Sequence, residues 1–348
     1  KKIGKLMYFN TINQIKELKL EEFNNIIVEI LNNKNIPEIN FFKSVTKLAI
    51  FTLQNENENI RPKDKNNLPG GIINLTEFDK VIILPDLHAR RFFLKKVLNF
   101  KKRLEKVLLE ELEYSNISLL CLGDGVHGEA NFASRWLKAY EEFKRNFEPS
   151  PNMDMEIADS FNLMLAVMLL KIRYPEKFHF LKGNHENIYN ETGNGNYAFA
   201  KYANEGFMVL LYFKKKYDDE ILSLYSQFEK NLPIFVVGRN FLASHAEPMM
   251  FVPYDKIVNY REYPEIIESF TWTDNYSSVK GTIDSFLDYY IPQNDQFTYY
   301  FGGHRPIKDR YFLINGDRYV QIHNPQKEII AFIDQNKKID LESDIIEI

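Results

Sequence analysis

Residues 81–90 read VIILPDLHAR, a short apolar run followed by a proline and then by an aspartate and a histidine. Four successive apolar residues that end at a turn signal predict a strand buried on both faces. Asp86 and His88 follow this strand two positions apart. In extended backbone, residues i and i+2 project to the same side, so the carboxylate and the imidazole can bind one metal ion together.

Two later segments repeat this arrangement. The runs ISLLCL at 117–122 and FHFL at 178–181 are followed by GDGVHGE at 123–129 and KGNHEN at 182–187. Asp124 has two carboxylate oxygens, which are enough to bridge two cations, and Asn184 offers a neutral carbonyl oxygen. His185 is adjacent to Asn184 and therefore points elsewhere, which leaves it free for proton transfer.

Two more histidines stand directly after apolar runs, in the blocks ASHAEP and GGHRP. Ligand sites in α/β proteins collect outside the carboxyl ends of strands, so we expect all five loops to converge. Their candidate ligands are two carboxylates, one amide and three imidazoles, a mixture of oxygen and nitrogen that suits Mn, Fe or Zn. These ligands are Asp86, His88, Asp124, Asn184, His245 and His304.

Taken in order, the five blocks resemble the pattern of the calcineurin-like metallophosphoesterase superfamily: D-x-H, G-D, G-N-H-[ED] and two separated histidines. LKGNHEN, LPIFVVGRNFLASHAEP and FTWTDN are more closely similar to the phosphoprotein phosphatase branch, which includes Ser/Thr phosphatases and dinucleoside polyphosphate hydrolases. The resemblance covers residues 86–304. It implies an α/β fold, a layered α-β-β-α sandwich of the metallophosphoesterase type, with a helical N-terminal addition in this chain.

The resemblance also implies two divalent or mixed-valence metal ions, Mn, Fe or Zn, and a role for each residue. One ion takes Asp86 and His88, Asp124 bridges both ions, and the remaining three ligands complete the other ion. His185 protonates the leaving oxygen, a task that suits a histidine at neutral pH.

The implied enzyme is a metal-dependent phosphatase or phosphoesterase, a hydrolase. It hydrolyses phosphate monoesters by attack of a metal-bridging hydroxide. Its partner is a phosphorylated substrate, in the first instance a phosphoprotein carrying phosphoserine or phosphothreonine. A dinucleoside polyphosphate or another nucleotide is the alternative substrate, and a catalytically weak metal-binding interaction module is a further alternative.

The second block departs from the phosphoprotein phosphatase pattern G-D-x-V-D-R-G. In GDGVHGE, His127 and Gly128 stand where that branch has the aspartate that supports the catalytic histidine and the arginine that holds phosphate. The sequence leaves Glu129 and Glu186 as candidate partners of His185.

Three residues are candidate substrate contacts. Arg90 and Arg305 carry guanidinium groups, whose planar fork can meet two phosphoryl oxygens at once. Arg90 lies two residues beyond the first histidine, on the same side if the strand geometry continues. His127 is the third candidate, as a substrate contact, a proton donor or a turn residue. The two histidines not yet assigned, His179 within FHFL and His323 at a strand end, are expected to be structural.

The segments between the apolar runs predict helices and further strands. Residues 91–113, 131–145 and 154–173 are rich in Leu, Lys and Glu and lack glycine and proline, which is typical of helices. IFVVG and NFLASH predict a strand pair. Asn315-Gly316 between two β-rich runs predicts a hairpin.

The chain divides by pattern into three parts. Residues 1–74 are expected to be a helical N-terminal extension and linker, because apolar residues recur at helical spacing before a polar stretch with prolines and glycines. Residues 75–335 are expected to form the metallophosphoesterase domain, with a helical insertion at about 130–175 that could shape a lid or add packing. Residues 336–348 are expected to be a C-terminal tail.

The composition limits partners and location. A net charge of -4, from 44 Lys+Arg and 48 Asp+Glu, gives no strong signal for nucleic acid. No run of about 18 apolar residues occurs, so no membrane span is expected. A single cysteine and an N-terminal stretch too polar for a signal peptide favour the cytoplasm, and numbering from Lys1 leaves room for a removed leader.

Overall fold

Two β-sheets form the centre of the protein in the computed structural model, which describes residues 9–314 and 318–348. The strands are β1 (Ile72–Asn74), β2 (Lys80–Leu84), β3 (Ile117–Cys121), β4 (Phe178–Phe180), β5 (Phe235–Val237), β6 (Phe241–Ser244), β7 (Tyr299–Gly302), β8 (Phe312–Ile314), β9 (Tyr319–Gln321), β10 (Ile329–Asp334) and β11 (Ile345–Glu347). One sheet has six strands in the order β1-β5-β6-β7-β9-β8, and the other has five in the order β11-β10-β2-β3-β4.

Helices flank both sheets. In chain order they are α1 (Ile12–Lys16), α2 (Leu20–Asn32), α3 (Ile39–Gln54), α4 (Arg91–Leu98), α5 (Leu108–Tyr114), α6 (Ala133–Lys144), α7 (Pro151–Arg173), α8 (Glu205–Lys216), α9 (Asp219–Lys230), α10 (Tyr254–Val258), α11 (Pro264–Thr271), α12 (Thr282–Tyr290) and α13 (Leu341–Asp344). Within the described ranges, no helix combines the length and the apolar character that a bilayer crossing needs.

Alternate residues of each strand face opposite sides of its sheet, and this alternation builds the layers. On β2, Val81 and Ile83 pack into a core shared with the six-stranded sheet. Ile82 and Leu84 of the same strand face the other way, into a core formed with helices that include α4, α5 and α7. Apolar residues on both faces explain why the predicted strands read as continuous apolar runs.

The six-stranded sheet divides in the same way. Val236 of β5 and Phe301 of β7 join the core between the two sheets. Their neighbours Phe235 and Tyr300 face outward, into a core formed with α10, α11 and α12. The layers are therefore helix, sheet, sheet, helix, which confirms the predicted α-β-β-α sandwich.

The N-terminal helices of the predicted addition pack on the helical layer of the five-stranded sheet. α1, α2 and α3 contact α7, and α3 also contacts α9. Phe42 of α3 lies between these two helices, with its ring centroid 5.8 Å from that of Phe161 and 5.9 Å from that of Tyr225. Burial of such aromatic side chains contributes about 1.5–3 kcal/mol each.

The loop between α3 and β1 is fixed by buried charges. The Arg61 guanidinium donates to the Glu56 carboxylate at 2.7 Å and to the carbonyl oxygens of Gly70 and Asn231 at 2.7 Å each. Lys171 of α7 contacts the other oxygen of Glu56. This cluster ties the segment predicted as a linker to the helical layer.

Two local predictions, a helical segment and a hairpin, can be compared with the elements that the structure shows. The helical segment predicted at 91–113 contains two helices, α4 and α5, because the chain turns between the buried residues Phe100 and Leu108, where the Leu108 N–H donates to the Phe100 carbonyl at 2.8 Å. β8 and β9 pair antiparallel as the hairpin prediction requires. The turn residues Asn315 and Gly316 themselves lie outside the described residues.

The segment predicted as a C-terminal tail, 336–348, contains α13 and β11. β11 pairs antiparallel with β10, with Ile346 opposite Ile330, and so forms an edge of the five-stranded sheet. The division of the chain into three parts stays a prediction.

Candidate metal centre

Six loops meet at one end of the two sheets. β2, β3 and β4 run parallel in one sheet, and β6, β7 and β9 run parallel in the other. Because parallel strands end at the same edge, the loops beyond their carboxyl ends lie side by side. In strand order these loops carry Asp86 and His88, then Asp124, then Asn184 and His185, then His245, His304 and His323.

A first group of ligand atoms surrounds Nε2 of His88. This nitrogen is 3.8 Å from Oδ2 of Asp86 and 3.6 Å from Oδ2 of Asp124. The other ring nitrogen, Nδ1, donates to the carbonyl oxygen of His127 at 3.0 Å, which leaves the lone pair on Nε2. Atoms that bind one cation at about 2.0–2.2 Å have such separations. We call Asp86, His88 and Asp124 the first group.

A second group shares Asp124 with the first. Nε2 of His245 is 3.4 Å from Oδ2 of Asp124 and 2.9 Å from Oδ1 of Asn184. Nδ1 of His304 is 3.0 Å from the same Asn184 oxygen. In the second group, two oxygens and two imidazole nitrogens therefore face one another. Its members are Asp124, Asn184, His245 and His304.

The protonation of these rings suits a metal site. Burial lowers the pKa of His245 to about 4, and burial also lowers the pKa of His88 and of His304. A neutral imidazole presents the lone pair that a metal binds. Nδ1 of His245 donates to the carbonyl oxygen of Leu122 at 3.0 Å, so its Nε2 lone pair faces the Asn184 carbonyl. Two acceptors in such contact repel each other unless a cation lies between them.

The carboxylates also indicate that a cation fits here. Oδ1 of Asp86 is buried and has no hydrogen-bond partner among the described residues. An unsatisfied buried polar atom costs about 1–3 kcal/mol. Burial, together with the charges of Glu186 and Asp86, raises the pKa of Asp124. Bound cations would supply the positive charge that these carboxylates need.

Backbone strain is concentrated in the same loops. Non-glycine residues with left-handed φ angles in these loops include His88 (40°), Asp124 (48°), His127 (62°) and His304 (65°). Each such conformation costs about 1–2 kcal/mol, and strain of this kind clusters at functional sites. Gly303 is required for a different reason, because a Cβ there would lie 1.9 Å from Oδ1 of Asp86.

His185 and His127 form a pair beside the two groups. Their Nδ1 atoms are 2.9 Å apart, so one ring donates to the other. Nε2 of His185 is 3.7 Å from Oδ2 of Asp124 and faces the centre. Burial lowers the pKa of both rings, that of His127 to about 3. The Phe199 ring packs on His185, with the ring centroids 3.8 Å apart.

Comparison with solved structures identifies the fold. A protein serine/threonine phosphatase from Saccharomyces cerevisiae, with similarity to human phosphatase PP5, matches with a TM-score of 0.57 and 13% identity over 95% of each chain. The chain has a phosphoprotein phosphatase-like fold. The cold-active protein-tyrosine phosphatase of a psychrophilic Shewanella species matches over 76% of this chain and 77% of its own, at 13% identity and a TM-score of 0.42, too low to support an argument. No protein-family model and no curated protein matches the sequence.

In this phosphatase-like fold, the glutamate next to His185 does not pair with that ring. The Glu186 carboxylate accepts hydrogen bonds from the N–H groups of Asp124 and Gly125, at 2.9 Å each, and of Gly183 at 2.7 Å. Glu186 therefore holds two site loops together, and its prediction as the partner of His185 is wrong.

His323, which was expected to be structural, lies inside the centre. Its Nε2 is 2.8 Å from Oε2 of Glu129 and its Nδ1 is 3.8 Å from Oδ2 of Asp86. Glu129 is thus occupied by His323, and its prediction as the partner of His185 is also wrong. The signal in the sequence was the position of His323 after the run YVQI. His179, by contrast, lies near the carbonyl of Glu176, at 2.8 Å, outside the two groups.

Arg90 is a structural residue, and its prediction as a phosphate contact is wrong. Its guanidinium donates to the carbonyl oxygens of Asn324 at 3.0 Å and Lys327 at 3.2 Å, and to a third carbonyl in its own loop. The prediction assumed that extended backbone continues past the first histidine. Instead the φ angle is 40° at His88 and 60° at Ala89, which turns the side chain away.

The helical insertion supports the loop that carries the unusual His-Gly pair. The His127 N–H donates to Oγ of Ser160 at 3.2 Å, and the Gly128 N–H donates to Oε1 of Glu156 at 2.8 Å. Nε1–H of Trp136 donates to the Gly128 carbonyl at 2.8 Å. Since 18 of the 23 residues of α7 are buried, this helix adds packing behind the loop.

Proposed function

We propose that the chain is a dinuclear metal-dependent phosphoesterase that hydrolyses phosphate monoesters, with phosphoserine or phosphothreonine in proteins as its substrate. The observation that carries this proposal is the position of one Asp124 oxygen. Oδ2 lies 3.6 Å from Nε2 of His88 and 3.4 Å from Nε2 of His245. One carboxylate oxygen thus faces both groups, as a bridging ligand of a two-metal site does. The phosphatase-like fold adds support by analogy.

The residues divide the work between holding cations and moving a proton. Two cations in the first and second groups would activate a water molecule and neutralise the phosphoryl oxygens. His185 faces the centre through Nε2, where it can give a proton to the leaving oxygen. When His185 carries a proton on both nitrogens, its Nδ1–H donates to Nδ1 of His127, which orients the ring.

The ligand chemistry limits the metals. The first and second groups supply carboxylate, amide and imidazole ligands, a set that suits Mn, Fe or Zn. The only cysteine of the chain, Cys121, is buried in the core on β3. Elemental analysis of the purified protein identifies the metals, and we expect two equivalents per chain.

Two observations favour a phosphoprotein as the substrate. α7 of the insertion at about 130–175 is mostly buried and packs behind the site loop, which favours an open site over a roofed small-nucleotide pocket. Arg305 is adjacent to His304, is 44% exposed and pairs with the exposed Asp274. An exposed guanidinium at the rim can exchange that partner for a phosphate.

The proposal is tested by hydrolysis of p-nitrophenyl phosphate with Mn²⁺ supplied. We compare the wild type with Asp124→Asn and, as a control, with Asp219→Asn, the same chemical change at an exposed position on α9. Loss of the bridging carboxylate should lower kcat/KM by about two orders of magnitude or more, and the control should match the wild type. Equal activity of Asp124→Asn and wild type, or activity in neither, would contradict the proposal.

The substrate class is tested separately. We expect phosphoserine and phosphothreonine peptides to be hydrolysed with a higher kcat/KM than diadenosine tetraphosphate or cyclic nucleotides. A preference for diadenosine tetraphosphate would replace the phosphoprotein assignment with the nucleotide one. Two bound metal ions without turnover of any of these substrates would identify a metal-binding interaction module.

A further inference from the structure

We propose that His323 is an additional protein ligand of the metal ion in the first group and that Glu129 orients it. The inference rests on the metal centre of the proposed function. It concerns a residue from a sixth loop, beyond β9, to which the resemblance assigns no role. The side chain of His323 is fully buried, with 0% exposure.

The contacts of His323 determine which nitrogen is free. Nε2 is 2.8 Å from Oε2 of Glu129, and a carboxylate only accepts, so Nε2 carries the proton and donates. The lone pair is therefore on Nδ1. Nδ1 is buried and has no hydrogen-bond partner among the described residues.

The free nitrogen points into the first group. Nδ1 of His323 is 3.8 Å from Oδ2 of Asp86, and one ligand atom each from Asp86, His88 and His323 lie within 4.8 Å of one another. The rings of His323 and His88 are tilted against each other, with the centroids 5.3 Å apart. A cation in the first group would satisfy a lone pair that nothing else in the described structure satisfies.

Glu129 supplies the second half of the arrangement. Its Oε2 accepts from His323 and its Oε1 pairs with Nζ of Lys201. A metal-bound histidine that donates its other N–H to a carboxylate has a fixed ring orientation and a more basic ligand nitrogen. Glu129, two residues after His127, thus orients a ligand of the metal ion in the first group rather than the ring of His185.

The consequence is an asymmetric centre with a second imidazole in the first group. With His323, the first group supplies four protein ligands, namely Asp86, His88, the bridging Asp124 and His323. Two nitrogens and two carboxylates favour Zn, Fe or Co over Mg. The metal ion in the first group should therefore stay bound to the protein when it is purified without added metal.

The experiment is a calorimetric titration of chelator-stripped protein with Zn²⁺ alone, read as number of sites and affinity. We compare the wild type with His323→Ala, His323→Gln and Glu129→Gln. His179→Gln is the matched control, since His179 is buried outside the centre. Circular dichroism and thermal melting of the metal-free variants establish that each is folded, and His323→Gln keeps most of the side-chain volume should the alanine variant not fold.

The wild type and His179→Gln should bind two Zn²⁺ ions. Each His323 variant should keep one site and lose about a hundredfold in affinity at the other, and Glu129→Gln should lose about tenfold at that same site. Wild-type affinity at both sites in a folded His323 variant would overturn the assignment of His323 while leaving the proposed function intact. A wild type that binds fewer than two ions would instead overturn the proposed function.

Discussion

His185 and Asp124 differ in what they contribute, and the difference can be measured. Nε2 of His185 is 3.7 Å from Oδ2 of Asp124 and lies close to His88, so it faces the centre, where the proposed function assigns it proton transfer rather than metal binding. We expect His185→Asn to keep both metal ions and to lower kcat by about 10²–10⁴. The loss should be greater with phenyl phosphate than with p-nitrophenyl phosphate, because the poorer leaving group depends more on protonation. Equal losses with the two substrates would contradict a role as an acid.

His127 acts through His185 and is a positioning residue. Its ring stacks on Phe199 with an interplanar angle of 6°, so His127→Phe can keep that packing while removing Nδ1. One hydrogen bond contributes about 1 kcal/mol, so we expect kcat to fall about fivefold with KM and metal content unchanged. His127→Asn, which retains an acceptor, should recover part of the loss. A change in KM alone would assign His127 to substrate binding instead.

The sequence located the six candidate ligands because each follows an apolar run, and the fold brings the carboxyl ends of those runs together. It could not show which rings would pair. His127 and His185 are 58 positions apart, and only the packing of β3 against β4 brings their Nδ1 atoms to 2.9 Å. Arg90 was misplaced for a local reason, because two successive positive φ angles end the extended geometry that the prediction assumed.

The loop after β7 contains Gly303, whose lack of a side chain leaves space for the carboxylate of Asp86, a candidate metal ligand. A Cβ on Gly303 would lie 1.9 Å from Oδ1 of Asp86, so Gly303→Ala must displace that carboxylate. We expect the variant to lose the metal ion of the first group and about two orders of magnitude in activity. Gly281→Ala is the control, since it has a φ of 82° but nothing within 4 Å of the added Cβ. Equal metal content in the two variants would argue against close packing of this loop on Asp86.

Whole elements were predicted where the pattern was strong. β2, β3 and β4 were evident as apolar runs, α6 falls inside a segment predicted as helical, and α7 covers the whole of another and begins three residues before it. The role of α7 was not evident, because a segment rich in Leu and Lys does not reveal that Glu156 and Ser160 bind the backbone of the His127 loop. The edge strand β11 was not predicted, because residues 345–348, IIEI, are too few to distinguish a strand from a tail.

The stability of the whole molecule depends on the buried charges that fix the N-terminal helices. The side chains of Glu56 and Arg61 are 1% and 0% exposed, and Lys171 joins them from α7. Glu56→Gln leaves two buried cations without a counter-charge, so we expect the free energy of unfolding to fall by about 3–5 kcal/mol in a urea titration.

Glu58→Gln is the control for that measurement. Glu58 lies two residues away and pairs with Lys63, but its side chain is 65% exposed. Exposed pairs of this kind contribute about 0–1 kcal/mol. Similar losses in Glu56→Gln and Glu58→Gln would show that the buried cluster does not fix the N-terminal segment to the rest of the protein.

The layered architecture as a whole could be predicted from residues 81–90 and the segments that resemble them, because strands buried on both faces require a layer on each side. The sequence did not show that His323 would reach the centre. That depends on β9 running parallel to β7, with Gln321 paired to Gly302, which places the loop after each strand at the same edge.

The claim that the Asp124 carboxylate bridges two metal ions is best tested by crystallography. Crystals of the protein are soaked in Mn²⁺, and anomalous diffraction locates the metal. Two anomalous peaks about 3.5–4 Å apart, one beside His88 and one beside His245 with Asp124 between them, are the predicted result. A single peak, or no peak within bonding distance of Asp124, would contradict the two-metal centre.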